Sequence, residues 1–288
     1  MGTVVGIHGI GQQQLGRQQL LTAWQPALGD GVERACDGRK VPNVPLNMAF
    51  YGDVFLSRPE SAAASKAGAA SGPWWERLDE ATSAELESTA GELLPEGAIQ
   101  EANARPAKAR TRMPGFLRAI DRHFPAGGLL AIGDLVQVRR YLSDAEVKAR
   151  VDAAVDAAVT PECAVLIGHS LGSVVAFEYV RRHPGLRLPL LVTLGSPLGL
   201  NLVRRLMPNV SYGVSFGIPP TVRAWVNVRD PRDPVASAGP LGQWWPGVDD
   251  VPPVDNGRDA HSATAYLGKK ATGQAVLAAL PGLSGGRA

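Results

Sequence analysis

Residues 163–172 read CAVLIGHSLG, an apolar run that leads into a serine flanked by Gly-His and Leu-Gly. Such a run is typical of a strand buried on both faces of a sheet, and residues 173–182 continue with a helical pattern. A strand, a sharp turn and a helix in this order would hold Ser170 at the carboxyl edge of the sheet. A serine hydroxyl is an effective nucleophile only when it is exposed beside a base. The segment therefore predicts an α/β fold with Ser170 as a candidate nucleophile; a plain turn between a core strand and a helix is the structural alternative.

The rest of the chain repeats this alternation of strands and helices. Four further strands are predicted, at residues 3–7, 44–51, 188–194 and 222–228. Helices are predicted at residues 16–28 and 263–280 and between Ser143 and Pro161, where Ser143 is the expected N-cap and Glu146 its capping-box partner. Strands that are apolar throughout imply a mostly parallel sheet with helices on both faces.

Composition limits the class of protein. The chain has 288 residues, 45% of them apolar, and a net charge of +2. One domain over residues 1–288 is simpler than two small ones. The charge balance gives no indication of nucleic-acid or anionic-membrane binding. Neither a membrane span nor the basic start of a signal peptide is present, which predicts a soluble, cytoplasmic protein. For Cys163, in an apolar run far from Cys36, a buried free thiol is expected.

A second glycine-rich turn follows the first strand and reads His8-Gly9-Ile10-Gly11. Together with Gly168-His169-Ser170-Leu171-Gly172 it resembles the two signatures of α/β-hydrolase lipases and esterases, over most of the chain outside residues 55–142. The resemblance implies an α/β-hydrolase fold, oxyanion-hole amides from Ile10 and Leu171, and a structural role for His8 beneath the loop. A phosphate-binding loop is the alternative, but the Gly-X-Gly-X-X-Gly and Gly-Lys-Ser/Thr patterns are absent.

The family's chain order of serine, acid and histidine implies the remaining catalytic groups. Of the five histidines, only His261 follows both the serine and a candidate acid. Asp230 and Asp233 both follow the strand at 222–228, and Asp233 is preferred because Asp233-Pro234-Val235 resembles the corresponding stretch of several lipase-like hydrolases. Asp230 is then expected to cap the turn through its side chain. Asp249, Asp250, Asp255 and Asp259 are interpreted as solvated loop charges.

Residues 55–142 are rich in Ala, Ser, Gly and charged residues and contain recurrent prolines. They exceed what the strands and helices expected before Ser170 require, which predicts an insertion. In α/β-hydrolases an insertion can form a cap, and Trp74–Trp75 and Phe116–Leu117 could line an acyl pocket beneath it; a partly disordered excursion is the alternative. Trp244–Trp245 could contact substrate or simply pack.

The resemblance implies acyl transfer, in which His261 takes the proton of Ser170 and water later releases the acyl group. A small-molecule ester or lipid-like acyl substrate is the first choice. A thioesterase, a peptidase or an acyltransferase or cyclase would use the same groups, and a non-catalytic relative that binds a ligand in the same pocket is the alternative from another class. No metal or other cofactor is expected, because the chain lacks a His-Glu-X-X-His motif and cysteine pairs at ligand spacing.

Overall fold

The computed structural model describes residues 2–12, 14–55, 73–104, 113–125, 127–183, 185–207 and 220–283. The strands are β1 (Thr3–Ile7), β2 (Leu46–Ala49), β3 (Cys163–His169), β4 (Leu190–Leu194), β5 (Trp225–Val228) and β6 (Asp249–Asp250). The helices are α1 (Arg17–Ala35), α2 (Glu80–Leu93), α3 (Ala98–Ala104), α4 (Gly115–His123), α5 (Gly128–Ser143), α6 (Ala145–Asp156), α7 (Leu171–Arg182), α8 (Asn201–Leu206), α9 (Ala263–Leu267) and α10 (Lys270–Ala279).

The six strands form one sheet in the order β2-β1-β3-β4-β5-β6, and every pairing is parallel. After β2 the chain crosses over β1 and then adds the remaining strands on the other side. The direction of sheet growth therefore reverses between β1 and β3. In open parallel sheets, a crevice at the carboxyl ends of two such strands is the usual place for a ligand.

Helices cover both faces of the sheet, as predicted for strands that are apolar throughout. Neighbouring side chains of β3 divide between the two cores: Leu166 belongs to one, and Val165 and Ile167 belong to the other. The core with Leu166 includes α2, α4, α5, α6 and α7, and the other core includes α1, α9 and α10. The predicted α/β fold with a parallel sheet is confirmed.

Several boundaries differ from the sequence prediction. Helix α1 continues to Ala35 rather than ending near residue 28, and the last predicted helix is divided into α9 and α10. Ser143 is not the predicted N-cap: it is the last residue of α5, and its hydroxyl donates to the carbonyl of Arg139. Asp144 caps α6 instead, because its carboxylate accepts hydrogen bonds from the first amides of that helix.

Strand β6 was not predicted, and the interpretation of Asp250 as a solvated charge was wrong. Its carboxylate accepts hydrogen bonds from the side-chain amide of Asn227 and from the amides of Leu241 and Gly242. A two-residue acidic strand has no hydrophobic periodicity to reveal it.

The described parts of residues 55–142 form α2 to α5 and pack on the sheet. Phe116, Leu117 and Leu135 are fully buried in the same core as α7. Residues 56–72, 105–112 and 126 of the predicted insertion lie outside the described residues.

Two further findings concern single features. Cys163 is a buried free thiol, as predicted, and so is Cys36. Across the described ranges, each helix is either too short or too polar to cross a lipid bilayer.

Candidate active site

Ser170 occupies a strained turn between β3 and α7. Its backbone has φ 54° and ψ −126°, a combination that is costly for any residue other than glycine. A Cβ atom at Gly168 would collide with the backbone of Gly172 and Ser173, and one at Gly172 would collide with the carbonyl oxygens of Ile7 and His8. Gly168 is therefore required because the start of α7 packs against it, and Gly172 is required because α7 begins in contact with the end of β1.

The loop after β1 passes directly against the serine. A Cβ atom on Gly9 would lie 2.9 Å from Cβ of Ser170. His8 lies beneath the loop, where its Nε2 accepts a hydrogen bond of 3.1 Å from the amide of Tyr51, and the Tyr51 hydroxyl donates to the His8 carbonyl. Burial lowers the pKa of His8 to about 4, so the ring is neutral. His8 thus has the structural position that the sequence predicted.

Of the two predicted oxyanion-hole residues, Ile10 lies in the loop after β1 and Leu171 directly follows Ser170. Ile10 borders the cavity in front of the serine. Leu171 is the first residue of α7, and its side chain is buried in the core. The first amides of a helix have no acceptor within the helix, and the helix N-terminus favours negative charge.

Asp233 and Asp230 both follow β5, but they have different partners. Asp233 Oδ2 lies 2.8 Å from Nδ1 of His261 and accepts a second hydrogen bond from the Tyr266 hydroxyl at 2.8 Å. Its other oxygen accepts from the amide of Val235. The carboxylate is completely buried. Its hydrogen bond to His261 shows that the structure brings together the predicted acid and the predicted histidine.

Asp230 has the capping role that was predicted for it. Its carboxylate accepts hydrogen bonds from the amides of Arg232 and Asn256 and from the Arg232 guanidinium. Burial acts to raise the pKa of Asp230, but these hydrogen bonds and the Arg232 charge outweigh it, and the pKa lies below its usual value. Asp230 therefore fixes the loop that presents Asp233.

His261 is held with one ring nitrogen bound and the other facing a cavity. Burial acts to lower its pKa, but the charge and hydrogen bond of Asp233 and the charge of Asp134 together raise it above the usual value. With Nδ1 donating to Asp233, the neutral ring carries its free electron pair on Nε2. Nε2 of His261 and Oγ of Ser170 are both buried and without a hydrogen-bond partner among the described residues.

Both of these atoms face one cavity of about 800 Å³ at the carboxyl ends of β1 and β3. It lies at the point where sheet growth reverses, as expected for a ligand site in an open sheet. Its apolar lining comes largely from the loop after β1, from α1 and from the start of α5, and includes Leu15, Leu20, Phe124, Leu130 and Ala131.

The aromatic residues that the sequence suggested for this lining do not border the cavity. Trp74 and Trp75 pack on the core, and Phe116 and Leu117 are buried within it. Trp245 is buried and donates to the carbonyl of Leu198, while Trp244 lies against the Arg204 guanidinium. For Trp244 and Trp245, the packing alternative is the observed one.

His169, inside the serine motif, fixes the histidine loop. Its Nε2 donates to the carbonyl oxygen of His261 at 2.8 Å, and burial lowers its pKa well below the usual value, so the ring is neutral. The two rings lie 4.6 Å apart between centroids. His169 therefore connects the turn that carries Ser170 to the loop that carries His261.

Three residues around this cluster were not singled out from the sequence. Tyr266 donates to Asp233 and accepts from the Asp230 amide at 2.8 Å. Gly195 has a φ of 53°, and a Cβ atom there would lie 2.6 Å from Oδ2 of Asp233. Asp134, on α5, has Oδ2 3.6 Å from Nε2 of His261, and burial raises its pKa to about 7. The sequence contains one feature that could have identified Asp134. It is a single carboxylate on the apolar face of a helical pattern that includes Ala131, Leu135 and Val138.

Comparisons with protein-family models, with curated proteins and with solved structures found no match. The geometry of this cavity and of the groups that line it therefore indicates what the protein can do.

Proposed function

We propose that this protein is a serine hydrolase that cleaves carboxylic esters through an acyl-enzyme intermediate. The observation that carries the proposal is the shared cavity of Ser170 and His261. The serine is on a strained turn, the imidazole is oriented by Asp233, and the reactive atoms of both lack a hydrogen-bond partner among the described residues. A nucleophile, a base and a group that orients the base are the arrangement that acyl transfer requires.

In the proposed reaction, Oγ of Ser170 bonds to the carbonyl carbon while its proton passes to Nε2 of His261. Asp233 stabilises the imidazolium through Nδ1, and the amides of Ile10 and Leu171 hold the negative oxygen. Nε2 then gives its proton to the leaving alcohol as the carbon–oxygen bond breaks. Water repeats the sequence: its proton goes to Nε2, its oxygen bonds to the acyl carbon, and Ser170 leaves with the proton restored.

We propose further that the fold is of the α/β-hydrolase type and that the segment at 55–142 caps its site. Support comes from the position of both glycine-rich loops at the reversal point of a parallel sheet. The described part of that segment contributes Phe124, Leu130 and Asp134 to the cavity. Leu130 is 75% exposed, so the cavity has an apolar rim.

The first-choice substrate is an ester with a short to medium or lipid-like acyl chain, since a cavity of about 800 Å³ with apolar walls suits such a group. The same triad would also accept thioesters or amides, because it activates the nucleophile without choosing the leaving group.

The test is labelling with a fluorophosphonate, which reacts with activated serines. Wild-type protein should be modified at Ser170, and Ser170→Ala should not react. Ser143→Ala removes an exposed hydroxyl at the end of α5 and should label as wild type. A folded wild-type protein that does not react at Ser170 would contradict the proposal and leave the ligand-binding alternative.

Activity is measured with p-nitrophenyl esters of increasing acyl length, beside a thioester and a peptide panel. Turnover of the esters that is lost in Ser170→Ala is expected. If only the thioester or the peptides are turned over, the result would support the proposed triad but contradict an ester as the substrate.

A further inference from the structure

Asp134 is a buried carboxylate that faces the candidate active site from outside both glycine-rich motifs. It lies on α5, is only 8% exposed and borders the cavity. Among the described residues its ion-pair partner is His261, at 3.6 Å from Nε2, and no amide or hydroxyl donates a hydrogen bond to it. The proposed mechanism does not use this carboxylate.

The two aspartates beside His261 differ in how their oxygens are satisfied. Asp233 accepts hydrogen bonds from Val235, His261 and Tyr266. Asp134 has no such set of donors, although a buried carboxylate without donors is costly. Its oxygen atoms are therefore available to a donor that enters the cavity.

No protein cation within the described ranges takes this place. Arg232 and Arg258 also border the cavity, but neither forms an ion pair with Asp134, and the Arg232 guanidinium is paired with Asp230 and Asp255. A donor for Asp134 would have to come from water or from a molecule bound in the cavity.

The position of Asp134 indicates which part of an ester would supply the donor. In the proposed reaction Nε2 of His261 gives its proton to the oxygen of the leaving alcohol, so that oxygen must approach Nε2. Asp134 lies 3.6 Å from the same nitrogen. The carboxylate is therefore beside the alcohol part of the substrate, rather than beside its acyl chain.

We propose that Asp134 selects esters whose alcohol part carries a hydrogen-bond donor, a hydroxyl or an ammonium, two or three bonds from the ester oxygen. This inference rests on the proposed hydrolase function and names its substrate class. A donor bound by Asp134 would hold the leaving oxygen at Nε2, and an ester without one would leave the carboxylate buried and unpaired.

The test compares butyrate esters that share one acyl chain: propyl, 2-hydroxyethyl and 2-(dimethylammonio)ethyl butyrate. The kcat/KM of each is measured by titration of the released acid. Wild-type protein should prefer at least one donor-bearing ester over propyl butyrate by about tenfold or more, as expected for a hydrogen bond to a charged group. The intrinsic reactivity of each ester cancels when its preference in a variant is divided by that in wild type.

Three variants separate the contributions. Asp134→Leu should reduce the preference for both donor-bearing esters to near the ratio of their intrinsic reactivities. Asp134→Asn is isosteric and keeps an acceptor oxygen, so it should retain preference for the hydroxyl ester and lose that for the ammonium ester. Asp121→Asn removes an exposed aspartate of α4 that does not border the cavity, and its preferences should equal those of wild type.

The outcomes distinguish this inference from the proposed function. Fluorophosphonate labelling of Asp134→Leu first establishes that Ser170 is still reactive and the chain folded. Suppose that Asp134→Leu is labelled and still prefers the donor-bearing esters over propyl butyrate as strongly as wild type does. That result would refute the role of Asp134 and leave the hydrolase proposal intact. If Asp134→Leu does not fold, the test uses Asp134→Asn. A preference for the ammonium ester in that variant that equals the wild-type preference would refute the role of Asp134. If wild type neither labels nor cleaves any ester, the hydrolase proposal fails and this inference fails with it.

Discussion

Oδ2 of Asp134 lies 3.6 Å from Nε2 of His261, while Oδ2 of Asp233 lies 2.8 Å from Nδ1 of the same ring. One imidazole is thus placed between two buried carboxylates that come from distant parts of the chain. Asp233 orients the ring through a hydrogen bond, and Asp134 approaches the nitrogen that would exchange protons with substrate. Each carboxylate favours the protonated ring when it is ionised, and for Asp134, whose pKa is raised by burial to about 7, ionisation takes place near neutral pH.

The pH dependence of ester hydrolysis should report this second carboxylate. His261 must be neutral to act as a base, so activity rises with pH through its raised pKa. Asp134→Asn removes one of the charges that raise this pKa, whereas Asp233 and the more exposed Asp259 remain. The acid limb of kcat/KM for propyl butyrate should therefore move to lower pH in Asp134→Asn. Neutral His169, whose ring lies beside that of His261, is unchanged by the substitution.

This profile is measured with propyl butyrate because that ester offers no donor to position 134. Asp121→Asn serves as the matched control and should keep the wild-type limb. An acid limb that stays in place or moves to higher pH in Asp134→Asn would show that the Asp134 charge does not act on His261.

The two aspartates after β5 should separate catalysis from stability. Asp233→Asn should lower kcat on the order of 10⁴-fold, because the ring loses the carboxylate that fixes its tautomer and stabilises its protonated form. Asp230→Asn keeps only one of the two oxygens that accept from the Arg232 and Asn256 amides and removes the charge that pairs with Arg232, so it should lower Tm, with kcat reduced less than in Asp233→Asn. The measurements are kcat with a p-nitrophenyl ester and thermal unfolding of each variant. A larger loss of kcat in Asp230→Asn would assign the catalytic acid to Asp230.

Gly195 packs closely against the Asp233–His261 pair, and we expect a side chain at this position to disturb the pair. At Gly195 a Cβ atom would lie 2.6 Å from Oδ2 of Asp233 and 3.2 Å from Nδ1 of His261, and the φ of 53° disfavours a side chain. Gly195→Ala should displace the pair and lower kcat on the order of 100-fold, the cost of roughly a 1 Å misplacement. Gly97→Ala is the matched control, since Gly97 has a φ of 83° but open space around it.

Both glycine variants should lose stability from the backbone strain, and thermal unfolding measures that shared loss. The difference in kcat between them then isolates the crowding at the site. Equal kcat in Gly195→Ala and Gly97→Ala would mean that the pair can move aside without consequence.

The sequence predicts the parts of the fold and site that depend on local pattern. The apolar residues of β3 and the glycines on either side of Ser170 are sufficient signals, because the start of α7 packs against Gly168 and against the end of β1 and leaves no room for a larger residue. The proximity of Asp233 and His261 could be anticipated because the resemblance to α/β-hydrolases implies an acid and a histidine in this order after the serine. Asp134 could not be placed in this way, since its position depends on how α5 packs over a sheet edge formed by distant residues.

The errors have the same origin. Phe116 and Leu117 have the composition of an acyl pocket, but an apolar pair fits a packed core equally well, and only the path of α4 decides between the two. Ser143 and Asp144 are both good caps, and the close succession of α5 and α6 selects the second. Local chemistry therefore restricts the choices, and long-range packing selects among them.

His8, in the loop after β1, should make the free energy of unfolding depend on pH. His8 is neutral in the folded protein, where it accepts from the Tyr51 amide and has a pKa of about 4, against an ordinary value of 6.5 in the unfolded chain. The unfolded chain therefore binds the proton more readily. The His8 contribution is fully present above pH 6.5 and is lost progressively as the pH falls toward 4. Between pH 8 and pH 5 this amounts to a loss of about 2 kcal/mol in the free energy of unfolding.

Urea unfolding of wild type and His8→Asn at pH 8 and pH 5 measures this loss. Asparagine can also donate and accept a hydrogen bond but does not titrate, so the variant should be less stable at pH 8 and lose about 2 kcal/mol less than wild type on acidification. Buried His169 contributes a loss of the same sign to both proteins, and it cancels in the difference. If the two proteins lose equal stability between these pH values, then His8 is not held neutral in the folded protein beneath the loop after β1.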